Sequence, residues 1–176
     1  MDNGKSQNEV AGAEQVLELL ESRGIAYRLE RHAAIFTMED SRTLVLALEG
    51  ARCKNLLVRD SKGRHFLIVT AADKSVDLVA AAASFNSKRL SFVSPANLLN
   101  LLGVQPGSLS PLALANDPAQ TIELMIDDDL ANESQFLFHP LDNAITVALE
   151  RAGLDAFLTA IGHPPVWVTL PARVGH

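Results

Sequence analysis

The sequence predicts one α/β domain built on a mixed, mostly antiparallel sheet, and three observations support this. The chain has 176 residues, of which 48% are hydrophobic and 20% charged, and this suits one well-filled core. Several strand-like runs follow one another without an intervening helix, as is typical of antiparallel or mixed sheets. No repeat, linker or shift in composition divides the chain. We therefore predict a flexible tail over residues 1–10 and one domain over residues 11–172.

The N-terminal half is predicted from apolar spacing and turn chemistry. Leucines at helical spacing predict a first helix, which Gly24 ends. Thr37 and Asp40 have the spacing of a capping box, which predicts another helix start. Residues 60–63 are rich in turn formers and join two β-rich runs, as in a hairpin. In chain order we predict a helix over 11–22, a strand over 25–30, a helix over 37–48, strands over 54–59 and 65–71, and a helix over 75–85.

The C-terminal half is predicted to hold most of the remaining strands. Ser94 followed by Pro95 indicates a helix start, because serine caps helices and proline suits their first turn. In chain order we predict a strand over 89–93, a helix through 102, strands over 112–115, 121–126 and 135–138, a strand or a helix start over 143–148, a helix over 154–161 and a strand over 166–170.

Charge and motif content narrow the function classes. The formal net charge is −6, so a broad basic surface for a nucleic-acid backbone is not expected. The chain contains no GxGxxG, Walker lysine loop, HExxH, paired CxxC or GxSxG sequence. Its five histidines lack metal-ligand spacing, so we expect no metal and no cofactor. The three aspartates at 127–129 are interpreted as a solvated acidic cap, with a divalent-cation site as the alternative.

The compartment is predicted from cysteine usage and the lack of apolar segments. The single cysteine, Cys53, cannot form an internal disulfide, which favours the reducing cytoplasm. The polar N-terminus lacks the apolar core of a secretory signal, and no apolar run approaches the roughly 20 residues that span a bilayer. We interpret Cys53 as a small buried or half-buried hydrophobe, although the neighbouring Lys54 is able to activate a thiol.

Three local signals are candidates for chemistry. Residues 103–111 hold two glycines, two prolines and two serines, so they form either an ordinary connector or a rigid loop whose Gly107 and Ser108 N–H groups face an oxygen-rich ligand. Lys54, at the start of an apolar strand, is either solvated or a cation inside a pocket. His139, held by the following proline, is either a structural histidine or a group that orients substrate or moves a proton.

Four segments together resemble the YbaK/ProX family of aminoacyl-tRNA editing domains, and in particular its free-standing ProX branch. The similarity covers about residues 16–170, and the second and third segments carry it most specifically. In chain order the segments are Arg31-His-Ala-Ala-Ile-Phe-Thr37, Cys53-Lys-Asn55, Gly103-Val-Gln-Pro-Gly-Ser-Leu-Ser-Pro111 and Phe138-His-Pro-Leu-Asp-Asn143.

The resemblance implies a fold and an activity. The family has a mixed sheet curled into a partial barrel with flanking helices, and it hydrolyses the ester between a wrong amino acid and the terminal adenosine of tRNA(Pro). The ProX branch removes alanine and the YbaK branch removes cysteine. The implied partners are mischarged tRNA(Pro), bound at its acceptor end, and prolyl-tRNA synthetase. For this chain we expect removal of alanine, and a cysteinyl-tRNA(Pro) deacylase is the alternative within the enzyme class. A non-catalytic module that binds aminoacyl-tRNA, a synthetase or a free amino acid is the alternative from another class.

The resemblance also implies the site. The family's essential lysine falls on Lys54, its glycine-proline loop on residues 103–111, and the branch's histidine on His139. Ala33 follows His32 where the family often has proline, which leaves the role of His32 open. The Gly107 and Ser108 amides are expected as oxyanion donors, and Asn55 and Asn143 as polar supports. Ile35, Phe36 and Thr37 are expected as pocket walls. The expected contacts to the acceptor end are Arg31, Arg52, Lys54, Lys88 and Arg89.

Overall fold

The sheet is mixed and open, with helices flanking it. The structure is a computed structural model that describes residues 10–175. The predicted tail, apart from residue 10, lies outside the described residues. The helices are α1 (Ala13–Ser22), α2 (Met38–Thr43), α3 (Leu78–Ala81), α4 (Pro95–Leu102) and α5 (Arg151–Ile161), and the strands are β1 (Arg28–Arg31), β2 (Ala51–Asp60), β3 (His65–Ala71), β4 (Leu90–Phe92), β5 (Ile122–Asp127), β6 (Gln135–Phe138), β7 (Ile145–Glu150) and β8 (Val166–Val168).

The strand order is β1-β7-β6-β2-β3-β5-β8, with β4 paired to β2 beside β6. Across residues 10–175, four strand pairs are antiparallel and three are parallel. This confirms the predicted fold class of a mixed, mostly antiparallel sheet flanked by helices. The sheet does not close, because β1 and β8 lie at its two ends.

The two faces of the sheet carry separate apolar clusters. Leu67 and Val69 of β3 pack in the larger cluster, with α1, α4 and α5, whereas Phe66 and Ile68 pack in the smaller one. Alternate residues of a strand point to opposite faces, so one strand contributes to both clusters. β3 is thereby buried on both sides and holds β2, its hairpin partner, in place.

Most predicted elements are confirmed, with shifted ends. The capping box is present, since the Thr37 side chain accepts from the Asp40 N–H and the Asp40 side chain accepts from the Thr37 N–H. The helix that it opens ends at Thr43, earlier than predicted, because Leu44 adopts an extended backbone. Residues 143–148, for which a strand and a helix start were both predicted as alternatives, belong mainly to a strand, Ile145–Glu150. The helix predicted over 75–85 is only α3 followed by a 3-10 turn, Ala82–Phe85.

Two predictions are wrong. Residues 112–115 lie in a 3-10 helix, Pro111–Asn116, and not in a strand, because Pro111 occupies its first turn and the Ser110 hydroxyl accepts the Leu112 N–H. The aspartate run is not a solvated turn throughout, because Asp127 is fully buried. The Asp127 side chain does accept the Asp129 N–H, so its predicted capping role is confirmed.

Candidate active site

A cleft opens where β2 and β6 separate. These parallel strands pair only at Ala51–Phe136 and Arg52–Leu137, and β4 pairs with the same edge of β2 only from Val58 onward. Within residues 10–175, no strand pairs with this edge of β2 over residues 53–56. Those four residues line a cavity of about 550 Å³. Its other lining residues come from the segment that leads into α2, from the glycine-proline loop and from the end of β6. The gap in the sheet therefore creates the cavity.

The cavity brings together most of the predicted site. The predicted residues that line it are Ile35, Phe36, Thr37, Lys54, Asn55, Gly107 and His139. Ser108 and Asn143 lie beside it without lining it. Of the cations expected at the acceptor end, only Lys54 lines the cavity, and Arg31, Lys88 and Arg89 are exposed elsewhere. The Arg52 guanidinium donates to the carbonyl oxygens of Ser41 and Leu44, so it braces the end of α2.

Lys54 points into the structure and is held there. Its Nζ donates to the carbonyl oxygen of Lys74 at 2.7 Å. The ammonium of Lys74 in turn lies 2.8 Å from carboxylate oxygens of Asp127 and Asp129, and Thr70 donates to Asp127. Burial alone would lower the pKa of Lys74, but the two carboxylates raise it above its ordinary value. Lys74 is therefore a fixed cation whose backbone positions Lys54.

One ring nitrogen of His139, Nε2, has no hydrogen-bond partner among the residues that the structure describes. Its Nδ1 lies 2.7 Å from the carbonyl oxygen of Ile145, which only accepts hydrogen bonds, so Nδ1 carries the proton. In the neutral ring Nε2 is then an acceptor. Burial and the neighbouring His32 lower the pKa of His139, although the Ile145 carbonyl and Asp142 oppose this. The neutral form, with Nε2 able to accept a proton, is therefore favoured near pH 7.

His32 lies next to His139, with ring centroids 5.8 Å apart. Its Nδ1 faces the carbonyl oxygen of Ala33, and its Nε2 lies 2.8 Å from the Thr146 hydroxyl. Because Nδ1 donates to that carbonyl, Nε2 of the neutral ring accepts from Thr146. His32 does not line the cavity. Its position makes it a neighbour that acts on His139 electrostatically.

The glycine-proline loop is a rigid turn tied to the His139 segment. Ser108 donates its backbone N–H to Gln105 within a 3-10 turn, Pro106–Ser108. The buried hydroxyl of Ser110 donates to the carbonyl oxygen of His139 at 2.7 Å. Gly107 lines the cavity, and a Cβ there would lie 3.1 Å from the Ile35 carbonyl oxygen. The close approach of two backbones explains why glycine stands at this position.

Ile35 is fixed by a pair of hydrogen bonds to Asn143. The Asn143 side-chain amide donates to the Ile35 carbonyl oxygen at 2.7 Å, and the Ile35 N–H donates to the Asn143 carbonyl oxygen. Ile35 is buried and forms a cavity wall, whereas Phe36 is 78% exposed and lies at the rim. Asn143 therefore positions the wall between α2 and the loop.

The wall beneath Lys54 and His139 contains Cys53 and Asn55. Burial, and to a smaller extent the charge of Glu133, raises the pKa of the Cys53 thiol to about 12. The thiol therefore stays protonated near neutral pH, which agrees with the interpretation of Cys53 as a half-buried hydrophobe. The Oδ1 atom of Asn55 is buried and has no hydrogen-bond partner among the described residues. An acceptor without a partner in a candidate site is available to a hydrogen-bond donor of a ligand.

A smaller side pocket of about 50 Å³ continues from this wall. It shares Ile35, Ser41, Cys53, Asn55 and His139 with the main cavity, and its other lining residues include Leu137 and Thr146. Most of its lining side chains are apolar or small. The cleft thus consists of a large cavity and a small adjoining pocket.

Sequence reasoning missed several lining residues that come from distant parts of the chain. They are Ser75 and Val76 after β3, Phe92 on β4, and Arg173 near the C-terminus. No local pattern marks them, because only the fold brings these segments together. Ser110 was part of the predicted loop, but its bond to the His139 segment spans 29 residues and was not predictable.

Neither a metal-binding cluster nor a membrane-spanning helix is found among the described residues. Among residues 10–175, no three His, Cys, Asp or Glu side chains form a group able to hold a metal ion. In the same part of the chain, no helix is both long and apolar enough to cross a membrane.

Comparison with known proteins identifies similar chains. A family model described as "Aminoacyl-tRNA editing domain" matches residues 32–157. The chain is 32% identical to "Prolyl-tRNA editing protein ProX" of Acetoanaerobium sticklandii, over 84% of this chain and 91% of that protein. It is 31% identical to "Prolyl-tRNA synthetase associated domain-containing protein 1" of Bos taurus, over 89% and 96% of the two chains.

The fold also matches solved structures. A crystal structure provisionally described as a trans-editing enzyme for prolyl tRNA synthetase superimposes with a TM-score of 0.65, at 19% identity. The match covers 89% of this chain and 96% of that one. At this identity the likeness establishes the shared architecture alone.

Proposed function

The chain belongs to the aminoacyl-tRNA editing domain family, and on this basis we propose that it is a trans-editing hydrolase that removes alanine from mischarged tRNA(Pro). One observation carries the proposal: a single cavity at the gap in the sheet gathers Lys54, Asn55, Gly107 and His139. The relatives named for prolyl-tRNA editing and for the synthetase-associated domain support the substrate class. The protein's task in this proposal is translation fidelity.

The proposed reaction is hydrolysis of an activated ester. Water adds to the carbonyl carbon, the bond from that carbon to the ribose oxygen breaks, and the ribose oxygen takes a proton as the amino acid leaves. Because an aminoacyl ester is already reactive, positioning of water and stabilisation of the oxyanion supply most of the acceleration. No protein nucleophile is required, which agrees with the high thiol pKa of Cys53, about 12.

Each site residue has a proposed role. Nε2 of neutral His139 accepts a hydrogen bond from the attacking water and orients it. The Gly107 N–H donates to the developing oxyanion; Ser108, predicted for the same role, has its N–H engaged with Gln105 and shapes the turn. The Lys54 ammonium contributes positive charge to the oxyanion or to the terminal nucleotide.

The substrate amine and side chain are proposed to bind at the inner wall. The orphan Oδ1 of Asn55 accepts from the α-ammonium group of the amino acid. The alanine methyl enters the narrow side pocket beside Ile35, whose position Asn143 fixes. In this proposal the small size of the side pocket favours the methyl group, and the proline ring is rejected by steric exclusion. Phe36 and Thr37 form the outer wall of this entrance.

Charge limits the proposed tRNA contact to the acceptor end. The net charge of −6 does not favour a broad backbone interface. We place the terminal nucleotides at the cavity mouth, and prolyl-tRNA synthetase as the partner that supplies the mischarged tRNA. A cytoplasmic location is part of the same proposal.

The substrate assignment is tested by comparing three esters. Purified protein is mixed separately with alanyl-, cysteinyl- and prolyl-tRNA(Pro), and loss of the ester is followed over time. We expect rapid loss of alanine and persistence of proline. Loss of cysteine in preference to alanine would reassign the branch, and an unchanged ester in all three mixtures would favour a non-catalytic binding module.

A further inference from the structure

Two exposed aromatic rings line the cleft, and the chemistry above uses only one of them, Phe36. The chain has seven phenylalanines, and five of them are at most 3% exposed. The other two are Phe36, 78% exposed, and Phe92, 60% exposed, and both line the cleft. Solvent-exposed aromatic rings at a concave site indicate a ligand with an apolar or aromatic surface.

The backbone that carries Phe92 is held by its strand pairing. Phe92 pairs with Val58 of β2, and the next residue, Val93, donates its N–H to the Leu57 carbonyl oxygen at 3.0 Å. Leu90 of the same strand is buried in the smaller apolar cluster. The backbone of β4 is thus fixed on both sides of Phe92 while its ring faces solvent at the cleft. Because this backbone is already ordered, binding has to order only the side-chain torsions of Phe92.

The cleft lining also carries a second cation, Arg173. The segment that leads to Arg173 is fixed by a bridge between Val76 and Ala172 and by the Arg173 N–H, which donates to the Ser75 carbonyl oxygen at 2.8 Å. Among residues 10–175, the cleft lining contains Lys54 and Arg173 but neither aspartate nor glutamate. In a chain of net charge −6, a cleft with two cations and no carboxylate favours an anion.

The order of residues along β2 gives the cleft a direction. Cys53 lies at the end that opens into the narrow side pocket, and Leu56 at the end nearest β4. Three residues of a strand span about 10 Å. An ester held beside Lys54 therefore has its amino acid towards Cys53 and its nucleotide towards Phe92.

We propose that the ring of Phe92 stacks on the adenine of the 3′-terminal nucleotide and that Arg173 binds the 5′-phosphate of that nucleotide. This inference rests on the proposed function, because it takes the ester site as its fixed point. Base stacking on an aromatic side chain is independent of sequence, and a guanidinium matches phosphate geometry. Phe36 belongs to the amino-acid end, because it adjoins Ile35 and the side pocket.

The test measures binding of two probes that cannot be hydrolysed, so it does not depend on activity. They are 3′-alanylamido-3′-deoxyadenosine and the same compound with a 5′-phosphate, titrated by calorimetry. We expect Phe92→Ala to weaken both probes by at least about five-fold, and Phe92→Trp to restore binding. Arg173→Ala should weaken only the phosphorylated probe. Matched controls are Val79→Ala and Arg23→Ala, which change exposed side chains that do not line the cleft.

The outcomes separate this inference from the proposed function. Unchanged affinity of Phe92→Ala for both probes, or a larger loss in Phe36→Ala, would overturn the stacking assignment even if the wild-type protein deacylates alanyl-tRNA(Pro). Equal weakening of the two probes by Arg173→Ala would overturn the phosphate contact. If the probes bind in a Phe92-dependent manner but the protein hydrolyses none of the three esters, the adenosine site is supported and the proposed deacylase activity is contradicted.

Discussion

The Lys54 ammonium donates a 2.7 Å hydrogen bond to the carbonyl oxygen of Lys74, whose own ammonium lies 2.8 Å from the buried carboxylate of Asp127. The lysine of the cleft is thus positioned through the backbone of a second lysine. Asp127 belongs to β5, and its partner Thr70 to β3, so the central sheet itself determines where Lys54 lies.

Asp127→Asn should therefore reduce both stability and activity. The substitution leaves the half-buried Lys74 with only the exposed Asp129 as counter-charge, and we expect a loss of about 1–3 kcal/mol of unfolding free energy. We expect a several-fold lower kcat/KM in the variant that remains folded. Urea unfolding and deacylation kinetics check the two effects.

The control for this prediction is Asp129→Asn. The Asp129 carboxylate lies at the same 2.8 Å from Lys74, but its side chain is 61% exposed. An exposed pair contributes at most about 1 kcal/mol. Equal losses in the two variants would show that the buried pair has no special part in positioning Lys54.

The decrease in activity at acidic pH should reflect protonation of the His139 ring. Activity requires the neutral ring, and burial together with His32 lowers the pKa of His139 below its usual value of about 6.5. Activity should therefore persist below pH 6.5 and decline as pH falls through the lowered pKa. Replacing His32 by Gln removes a neighbouring charge and should move this decline to higher pH, because only Asp142 then acts on the ring through charge.

The measurement is the pH dependence of kcat/KM for wild type, His32→Gln and His65→Gln. His65 lies on β3 and does not line the cleft, so its variant should keep the wild-type profile. A decline centred above pH 6.5 in the wild-type protein would contradict the assigned state of His139.

Gly107→Ala should lower activity more than stability. The added methyl group would lie 3.1 Å from the Ile35 carbonyl oxygen, so the loop must move away from the wall that it contacts. We expect at least a ten-fold loss in kcat/KM, as removal of an oxyanion donor produces, and about 1 kcal/mol of destabilisation. Gly175→Ala, where a Cβ meets nothing within 4 Å, is the control. An unchanged kcat/KM in Gly107→Ala would show that the loop takes no part in the mechanism.

Asp117 and His163 form a buried pair away from the cleft that should stabilise the fold. His163 Nε2 lies 3.0 Å from the Asp117 carboxylate, which also accepts from Thr121 and Ile122. Burial alone would raise the pKa of Asp117, but these hydrogen bonds lower it. A lowered pKa gives stability that is present above the unfolded value near pH 4 and is lost as pH falls through the folded value.

Asp117→Asn should accordingly cost about 1–3 kcal/mol of unfolding free energy at pH 7. The difference from wild type should shrink below pH 4, as the wild-type carboxyl takes up a proton. Denaturant unfolding at several pH values measures it. A difference that stays constant down to pH 2 would assign the effect to packing and not to the charge of Asp117.

The sequence predicted those parts of the fold that depend on neighbouring residues. The β2–β3 hairpin follows from turn formers between two β-rich runs, and α4 follows from Ser94 and Pro95. The run 112–115 was predicted wrongly, because a short apolar segment does not distinguish a strand from a buried helical turn. The cap at Ser110 decides the outcome there.

The candidate site was predictable only where a motif marks it. Lys54, Gly107 and His139 were found by resemblance, and the cavity that gathers them was not. Lys74, Phe92 and Arg173 escaped prediction because their roles depend on contacts between distant segments, such as the pairing of Val76 with Ala172. Asp127 was misread as solvated because its partners, Thr70 and Lys74, lie more than 50 residues away.

The most direct test of the account is the single-turnover rate of alanyl-tRNA(Pro) deacylation by wild type, Lys54→Ala and Lys62→Ala. Lys62 is an exposed lysine in the β2–β3 turn and does not line the cleft. If the cleft is the editing site, Lys54→Ala should lose about a hundred-fold or more in rate while Lys62→Ala matches wild type. Equal rates for the two lysine variants would contradict the assignment of the cleft as the site of ester hydrolysis.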